Sequence, residues 1–297
     1  MQALSVESGP KKGHPAAVLL DNLISKRIAS DTLVVPAIPQ IVNECLVMLR
    51  DPQFNAKKLA TLIAKDPVIA IRLLRAANSA ALGTVKVVTI DQAVARLGAQ
   101  RINALCVEAS AAMLFESQNP AIRDACQGIW RHSVAVAIIA RDLIATGANA
   151  KDQDAAFLVG LLHDVGKPVV ASYLLELERE MPREMSRWFT SSDDWLSVIS
   201  TVHRKVGVLI AAKWQLPEEI VAAIGESAEY DNASRDSLAN YVRFANALAK
   251  REGIFVGQCD VQDAEAVVMI GRSLLGLNDD IIAKLSDNLK ERVARAA

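Results

Sequence analysis

Three of the four histidines lie in or beside the most apolar stretches of this 297-residue sequence, where imidazole could do chemistry. His132 and His203 stand alone, whereas His163 is followed directly by Asp164. Neighbouring side chains diverge by about 100° in a continuous helix, but at a helix end closed by Gly166 both can turn towards one cation. With His132 supplied by a helix packed alongside, two imidazoles and one carboxylate form a ligand set that suits Zn, Fe or Mn. Each histidine could equally be a hydrogen-bonded core residue.

The elements that would position these side chains are predicted to be helices. Alanine is frequent and aromatic residues make up only 4 % of the sequence, a composition that favours helix over strand. Asn55 marks one helix start, and Asp66 before Pro67 marks the next, because such side chains cap helices and proline fits the first turn. The segment 130–145 is apolar almost all round, which predicts a helix central to the core.

Composition excludes several classes of protein. Lys and Arg total 33 against 34 Asp and Glu, a formal charge of -1, so no basic footprint for nucleic acid or an anionic membrane is present. The apolar runs fall short of the ~18 residues that a membrane span needs, and no secretory signal is evident, so we expect a cytoplasmic protein. The cysteines lack metal-ligand spacing and are expected to be reduced core residues, namely Cys45, Cys106, Cys126 and Cys259.

Two blocks of sequence resemble a known family. The first contains PAIPQIVNECLVMLRDPQF, the DP-initiated helix with its AANSA ending, and TIDQAVARLGAQRI. The second contains WRHSVAVAIIARDLI, then GLLHDVGK, then HRKVGVLIAAKWQLPEEIVAAI. Together, over residues 31–226, they are similar to the HD-related output domain (HDOD) family of the HD superfamily. The resemblance implies an all-α, multi-helix bundle with a degenerate HD-type helical core.

The resemblance, together with the polar, proline and glycine residues that interrupt the helix pattern, suggests an organisation for the whole chain. We expect the two helical parts to pack together and the C-terminal helices to pack on the core. The expected parts are a flexible tail at 1–15, an N-terminal helical part at 16–118, an HD-like core at 119–230 and C-terminal helices at 231–297. The last of these are predicted as three helices, at 236–251, 261–275 and 279–295.

The resemblance also implies which residues would hold a metal. Catalytic HD phosphohydrolases use a His, the HD pair and a later Asp, and the matching positions here are His132, His163 and Asp164. In YVRFANALAK, Asn246 stands where those relatives carry Asp. An amide oxygen can coordinate a cation but brings no charge, so we expect a vestigial or weak site. The His pair of binuclear relatives is missing near 224–227, which argues against a second metal.

Two further residues have open roles. Lys167 matches the basic residue that lies near a substrate phosphate in catalytic HD proteins, but it could also cap a helix C-terminus through the helix dipole. His203 matches the family's third histidine. It could contact the metal ligands and hold them in position, or it could have a purely structural role.

The resemblance implies a non-catalytic bacterial signal-transduction output or regulatory module that acts through protein or small-ligand binding. The alternative is a mononuclear metal-dependent phosphohydrolase acting on a nucleotide or phosphodiester. A nucleotide-sensing pocket without turnover is a third reading. The expected cofactor is none, or one weakly bound divalent metal of the Mn, Fe or Zn class. A signalling protein is the expected partner, and a nucleotide-like ligand and a homo-oligomer are left open.

Overall fold

The structure is a computed structural model that describes residues 15–51, 53–79, 85–117, 120–146, 152–180 and 192–296. Within these ranges the chain forms helices and no strand, which confirms the all-α prediction. The helices are α1 (Pro15–Ala29), α2 (Gln40–Leu49), α3 (Ala56–Ile63), α4 (Pro67–Ala77), α5 (Ile90–Leu114), α6 (Pro120–Ala145), α7 (Gln153–Leu162), α8 (Gly166–Glu180), α9 (Ser192–Lys213), α10 (Glu218–Glu226), α11 (Leu238–Arg251), α12 (Val261–Leu275), α13 (Asp279–Ser286) and α14 (Leu289–Ala296). Residues 1–14 of the expected tail lie outside the described residues.

The chain divides into two compact units, and residues 37–113 form the smaller one. Its helix starts follow the capping rules. The Asn55 side chain accepts a hydrogen bond from the Lys58 N–H, and the Asp66 side chain accepts from the N–H groups of Val68 and Ile69. Inside α5, Gly98 has a φ of 72°, so the helical path breaks at this residue. A positive φ carries little strain in glycine, which explains why glycine occupies the break.

The larger unit comprises residues 1–36 and 114–297 and contains all the candidate site residues. Its centre is α6, where residues 134–140 are each at most 4 % exposed, as the apolar pattern predicts. Helix α6 packs against α7 and α11, α8 packs against α9, and α1 packs against α9. By length and composition alone, the apolar stretch Gln153–Glu176 could span a membrane, but most of it is buried within the fold.

Two glycines allow the closest helix contacts in this unit. A Cβ on Gly160 of α7 would lie 2.7 Å from the Ala137 Cα of α6. A Cβ on Gly166, the first residue of α8, would overlap the carbonyl oxygen of His203 on α9. Only glycine permits such approaches between backbones. The segment between α7 and α8 is therefore held tightly between α6 and α9.

The C-terminal helices complete the larger unit. Helices α11, α13 and α14 all contact α6, and α12 packs on α11. The single helix predicted over 279–295 is wrong, because the structure divides it into α13 and α14. Asn288 between them has a φ of 50°, a left-handed conformation that cannot continue a right-handed helix.

Candidate metal centre

The candidate ligands come from four elements of the larger unit. His132 lies on α6, His203 on α9 and Asn246 on α11, whereas His163 and Asp164 lie in the turn that joins α7 to α8. All five are buried, with exposed fractions of 2–9 %. The expectation that Gly166 ends α7 is wrong, because Gly166 instead begins α8. Its close contact with α9 fixes the turn that carries the HD pair.

The Asp164 carboxylate is the hub of the cluster. His163 Nε2 lies 3.4 Å from Asp164 Oδ2, and His132 Nε2 lies 4.0 Å from the same oxygen. His203 Nε2 lies 3.2 Å from Asp164 Oδ1. The same His132 Nε2 also lies 3.1 Å from Asn246 Oδ1. The structure thus brings together all five residues that the sequence suggested for the site.

The three imidazole rings are oriented in the same way. The ring nitrogen Nδ1 faces a backbone carbonyl oxygen in each case, at 2.7 Å from Ile254 for His132, 2.7 Å from Gly160 for His163 and 2.9 Å from Ser200 for His203. A neutral imidazole that donates from Nδ1 leaves a lone pair on Nε2. In that tautomer all three Nε2 atoms present lone pairs to the space around Asp164, which is the usual arrangement of metal-binding histidines.

Burial favours the neutral rings that this arrangement needs. It lowers the pKa of His132 from 6.5 to about 3, and neighbouring His163 lowers that pKa in the same direction. Burial also lowers the pKa of His203, although the nearby Asp164 carboxylate acts in the opposite direction. A charged imidazolium in this low-dielectric centre would be costly, because the ring would lose its hydration.

One buried atom tests whether the residues fit a metal. His163 Nε2 is buried and has no hydrogen-bond partner among the described residues. A half-turn of the Asn246 amide would present an N–H to His132 Nε2, so that contact can be satisfied without a cation. With its proton on Nδ1, His163 instead turns the Nε2 lone pair towards Asp164 Oδ2 at 3.4 Å, so two acceptors face each other. An orphaned nitrogen beside a carboxylate fits a divalent cation, which His132, His163 and Asp164 would hold with Asn246 and His203. Such a cation would supply Lewis acidity and a water of lowered pKa.

Lys167 occupies the other side of the carboxylate. Its Nζ lies 2.7 Å from Asp164 Oδ2, and the residue is in the first turn of α8, so the alternative of a helix C-terminal cap is wrong. Burial by itself would raise the pKa of Asp164, but His163 and the Lys167 ammonium outweigh it and hold that pKa well below its ordinary value. The carboxylate is therefore ionised, and its charge is already paired with a cation.

Three cationic residues near the centre were missed by sequence reasoning. Arg204 follows His203 on α9, and Arg243 and Lys250 flank Asn246 on α11 at spacings of three and four residues. Those spacings place all three α11 side chains on one face of the helix, which was the available signal. Asp164 influences the pKa values of Arg204 and Lys250, so both residues lie within electrostatic reach of the centre.

The comparisons with known proteins agree with the all-α fold. The chain matches the HDOD domain over residues 35–230. A structure of an HDOD domain protein from Geobacter sulfurreducens, described as of unknown function, shares 23 % identity and a TM-score of 0.64, with 93 % of this chain and 97 % of that chain covered. A Shewanella amazonensis structure, named as a candidate metal-dependent phosphohydrolase, has a TM-score of 0.72 at 21 % identity and covers 94 % of this chain and 99 % of that one.

A curated relative is an uncharacterized protein of Treponema pallidum (strain Nichols), 25 % identical over 240 residues. The alignment covers 78 % of this chain and 46 % of the relative, so the chain spans about half the length of the curated relative it matches. The solved structures, at 21–23 % identity, establish a shared fold. Because the HDOD match covers more than half of the sequence and includes the HD turn, the chain belongs to the HDOD family.

Proposed function

We propose that this chain is a non-catalytic signal-transduction regulatory module whose HD centre binds rather than turns over a ligand. The observation that carries the proposal is the pairing of Asp164 with Lys167. Asp164 is the one carboxylate in the candidate metal cluster of the described residues, and an ammonium lies 2.7 Å from it. A divalent cation would have to compete with that ammonium for the same oxygen.

Charge around the centre argues in the same direction. Asn246 contributes an amide where a second carboxylate would supply a negative charge, and an amide holds a cation less strongly. Lys250 lies near enough to affect His132, and it adds a further positive charge close to the ligand nitrogens. A structure of similar fold from Marinobacter aquaeolei, with 21 % identity and a TM-score of 0.60, is named as a candidate signal transduction protein, which agrees with a regulatory role.

A second candidate function is a mononuclear metal-dependent phosphohydrolase. It is favoured by the orphaned His163 Nε2 and by the shared orientation of the three rings. In that case His132, His163 and Asp164 would hold the metal, which would displace Lys167 from the Asp164 oxygen and leave its ammonium to contact a phosphate. The name of the Shewanella amazonensis protein points to this class of activity.

Metal analysis and turnover assays separate the two functions. Protein purified without a His tag should hold well under one Mn, Fe or Zn per chain. It should not hydrolyse p-nitrophenyl phosphate or bis(p-nitrophenyl) phosphate with any of these metals. Asp164→Asn serves as the site variant and Asp260→Asn as its matched control, because Asp260 caps α12 and Asn caps a helix equally well. Metal-dependent hydrolysis that Asp164→Asn abolishes and Asp260→Asn retains would establish the enzyme instead.

A further inference from the structure

A row of cationic side chains lies beside the HD centre. Lys167 starts α8, Arg204 lies on α9, and Arg243 and Lys250 share the face of α11 that also carries Asn246. All four residues are half-buried, so each can be reached from solvent. We name these four residues the cationic cluster.

Each member of the cationic cluster neighbours a residue of the HD centre, and their charges influence one another. Burial lowers the pKa of Lys250, and the charges of Lys167 and Arg243 lower it further. Burial likewise lowers the pKa of Arg204, and the charge of Arg243 acts in the same direction. Lys250 is thus within electrostatic reach of Lys167 and Arg243, and Arg204 is within reach of Arg243. Holding like charges together is unfavourable unless an anion joins them.

The arginines of the cluster have unused hydrogen-bonding capacity. The Nε–H groups of Arg204 and Arg243 are buried and have no acceptor among the described residues. In that part of the chain no ion pair to a carboxylate involves Arg204, Arg243 or Lys250. By contrast, Arg251, one residue beyond Lys250, is paired with Glu252 at 2.9 Å. A buried donor without a partner costs stability, so two of them within electrostatic reach of each other point to a missing acceptor.

We propose that the cationic cluster binds a small molecule carrying two phosphate groups, with the guanidinium groups of Arg204 and Arg243 contacting one phosphate and Lys250 and Lys167 the other. Planar guanidinium groups match the oxygens of a phosphate in pairs. This inference rests on the proposed regulatory function for the view that the ligand acts as a signal, but the cluster's charges alone carry the binding.

Charge balance favours two phosphates over one. The four cations and the Asp164 carboxylate together carry a net charge of +3. A single phosphate group carries about −1.5 to −2 at neutral pH, which leaves the site cationic. A ligand with two phosphate groups comes closer to neutralising it. The ligand would also supply acceptors to both orphaned Nε–H groups.

Binding of inorganic pyrophosphate, measured by calorimetry at constant ionic strength, tests the inference. We expect pyrophosphate to bind at least tenfold more tightly than inorganic phosphate or sulfate. Arg204→Gln and Arg243→Gln should each weaken binding about tenfold or more, because each removes a charge-assisted contact. Lys205→Gln is the matched control, since it removes a positive charge from the next position on α9 where the side chain pairs with exposed Asp21.

The unliganded variants provide a second readout. If the arginines serve to bind an anion, Arg204→Gln and Arg243→Gln should unfold at the same temperature as the wild type or higher. Each substitution relieves the repulsion between positive charges in the unliganded cluster. A merely structural role predicts lower melting temperatures and unchanged binding. Failure to bind pyrophosphate at millimolar concentration, equal affinity for sulfate, or binding that neither arginine variant weakens would overturn the inference.

The outcomes also distinguish this inference from the proposed function. Pyrophosphate that binds and is hydrolysed would refute the non-catalytic function while leaving the cationic cluster as its binding site. Protein that neither binds nor hydrolyses pyrophosphate would refute the inference, and a regulatory role through a protein partner would stand.

Discussion

The ammonium of Lys167 lies 2.7 Å from Asp164 Oδ2, three residues away along the chain. Asp164 is only 3 % exposed, so this contact neutralises a carboxylate that would otherwise be a buried, unpaired charge. The same ammonium occupies the oxygen that a metal would use. The contact that stabilises the turn is therefore also the contact that we expect to weaken cation binding.

Replacing Lys167 by methionine separates these two effects. In EDTA, Lys167→Met should lower the free energy of unfolding, because Asp164 loses its cationic partner. We expect a loss of about 2–3 kcal/mol, which is moderate because Lys167 is partly solvent-exposed. Its affinity for Mn should rise, since the carboxylate is freed. Lys205→Met, which breaks an exposed pair with Asp21, should cost under about 1 kcal/mol. Calorimetry and urea unfolding measure both quantities, and an unchanged Mn affinity would contradict the competition.

Restoring a carboxylate at position 246 should improve the metal site. The Asn246 Oδ1 lies 3.1 Å from His132 Nε2, so Asn246→Asp places a charged oxygen beside a ligand nitrogen. We expect affinity for Mn or Fe to rise at least tenfold. Asn278→Asp is the control, because Asn278 caps α13 and Asp caps equally well. If Asn246→Asp binds no more metal than the wild type, Asn246 does not occupy the position of the family's later Asp.

The contact between α8 and α9 predicts opposite effects for two glycines. A Cβ on Gly166 would overlap the His203 carbonyl oxygen, so Gly166→Ala should destabilise the protein by about 2–3 kcal/mol. Gly207 lies in the same contact, but its Cβ would meet the nearest side-chain atoms at 3.5 and 3.6 Å. Gly207→Ala should therefore be neutral or stabilising by up to ~1 kcal/mol. Thermal unfolding of both variants measures the difference, and equal effects would exclude the steric explanation.

Acid should weaken the metal-free protein through His132. Burial, the first cause, lowers its pKa in the fold from 6.5 to about 3. The stability that comes from the neutral ring is complete above pH 6.5 and is lost as the pH falls from 6.5 towards 3. The loss for this one group is at most about 1.4 kcal/mol per pH unit. Melting temperatures in EDTA between pH 7.5 and 5 should fall less steeply for His132→Gln than for the wild type, and parallel curves would refute this assignment.

Local signals predicted most helix starts because capping depends on a few adjacent residues. Asn55 and Asp66 cap α3 and α4 as their sequence contexts suggest. The break at Asn288 was missed, because a run of good helix formers surrounds it and asparagine only tolerates the left-handed conformation rather than requiring it. Gly166 was misplaced for a related reason. Glycine is common at helix ends, but here the close approach of α9 requires it at a helix start.

From the sequence, the candidate site could be predicted only for residues that belong to a recognisable motif. His132, His163 and Asp164 lie in such motifs, and the structure brings their ligand atoms within 4.8 Å of one another. The pairing of Lys167 with Asp164 depends on rotamers within a turn, and no spacing rule distinguishes it from a phosphate contact. The sequence could not predict the unpaired Nε–H groups of Arg204 and Arg243, because the absence of an acceptor depends on which residues surround them in the folded protein.

The carbonyl partners of the imidazoles imply an order of assembly. His163 and His203 each donate to a carbonyl three residues earlier, so both rings take their orientation from single helical turns that form early. The partner of His132 is Ile254, 122 residues away, and reaching it requires closing a long chain loop. Ile254 lies three residues beyond the end of α11, so the docking event that orients His132 also brings in Asn246. We expect the centre to be completed late in folding, by one long-range step that seats its third ring and its amide together.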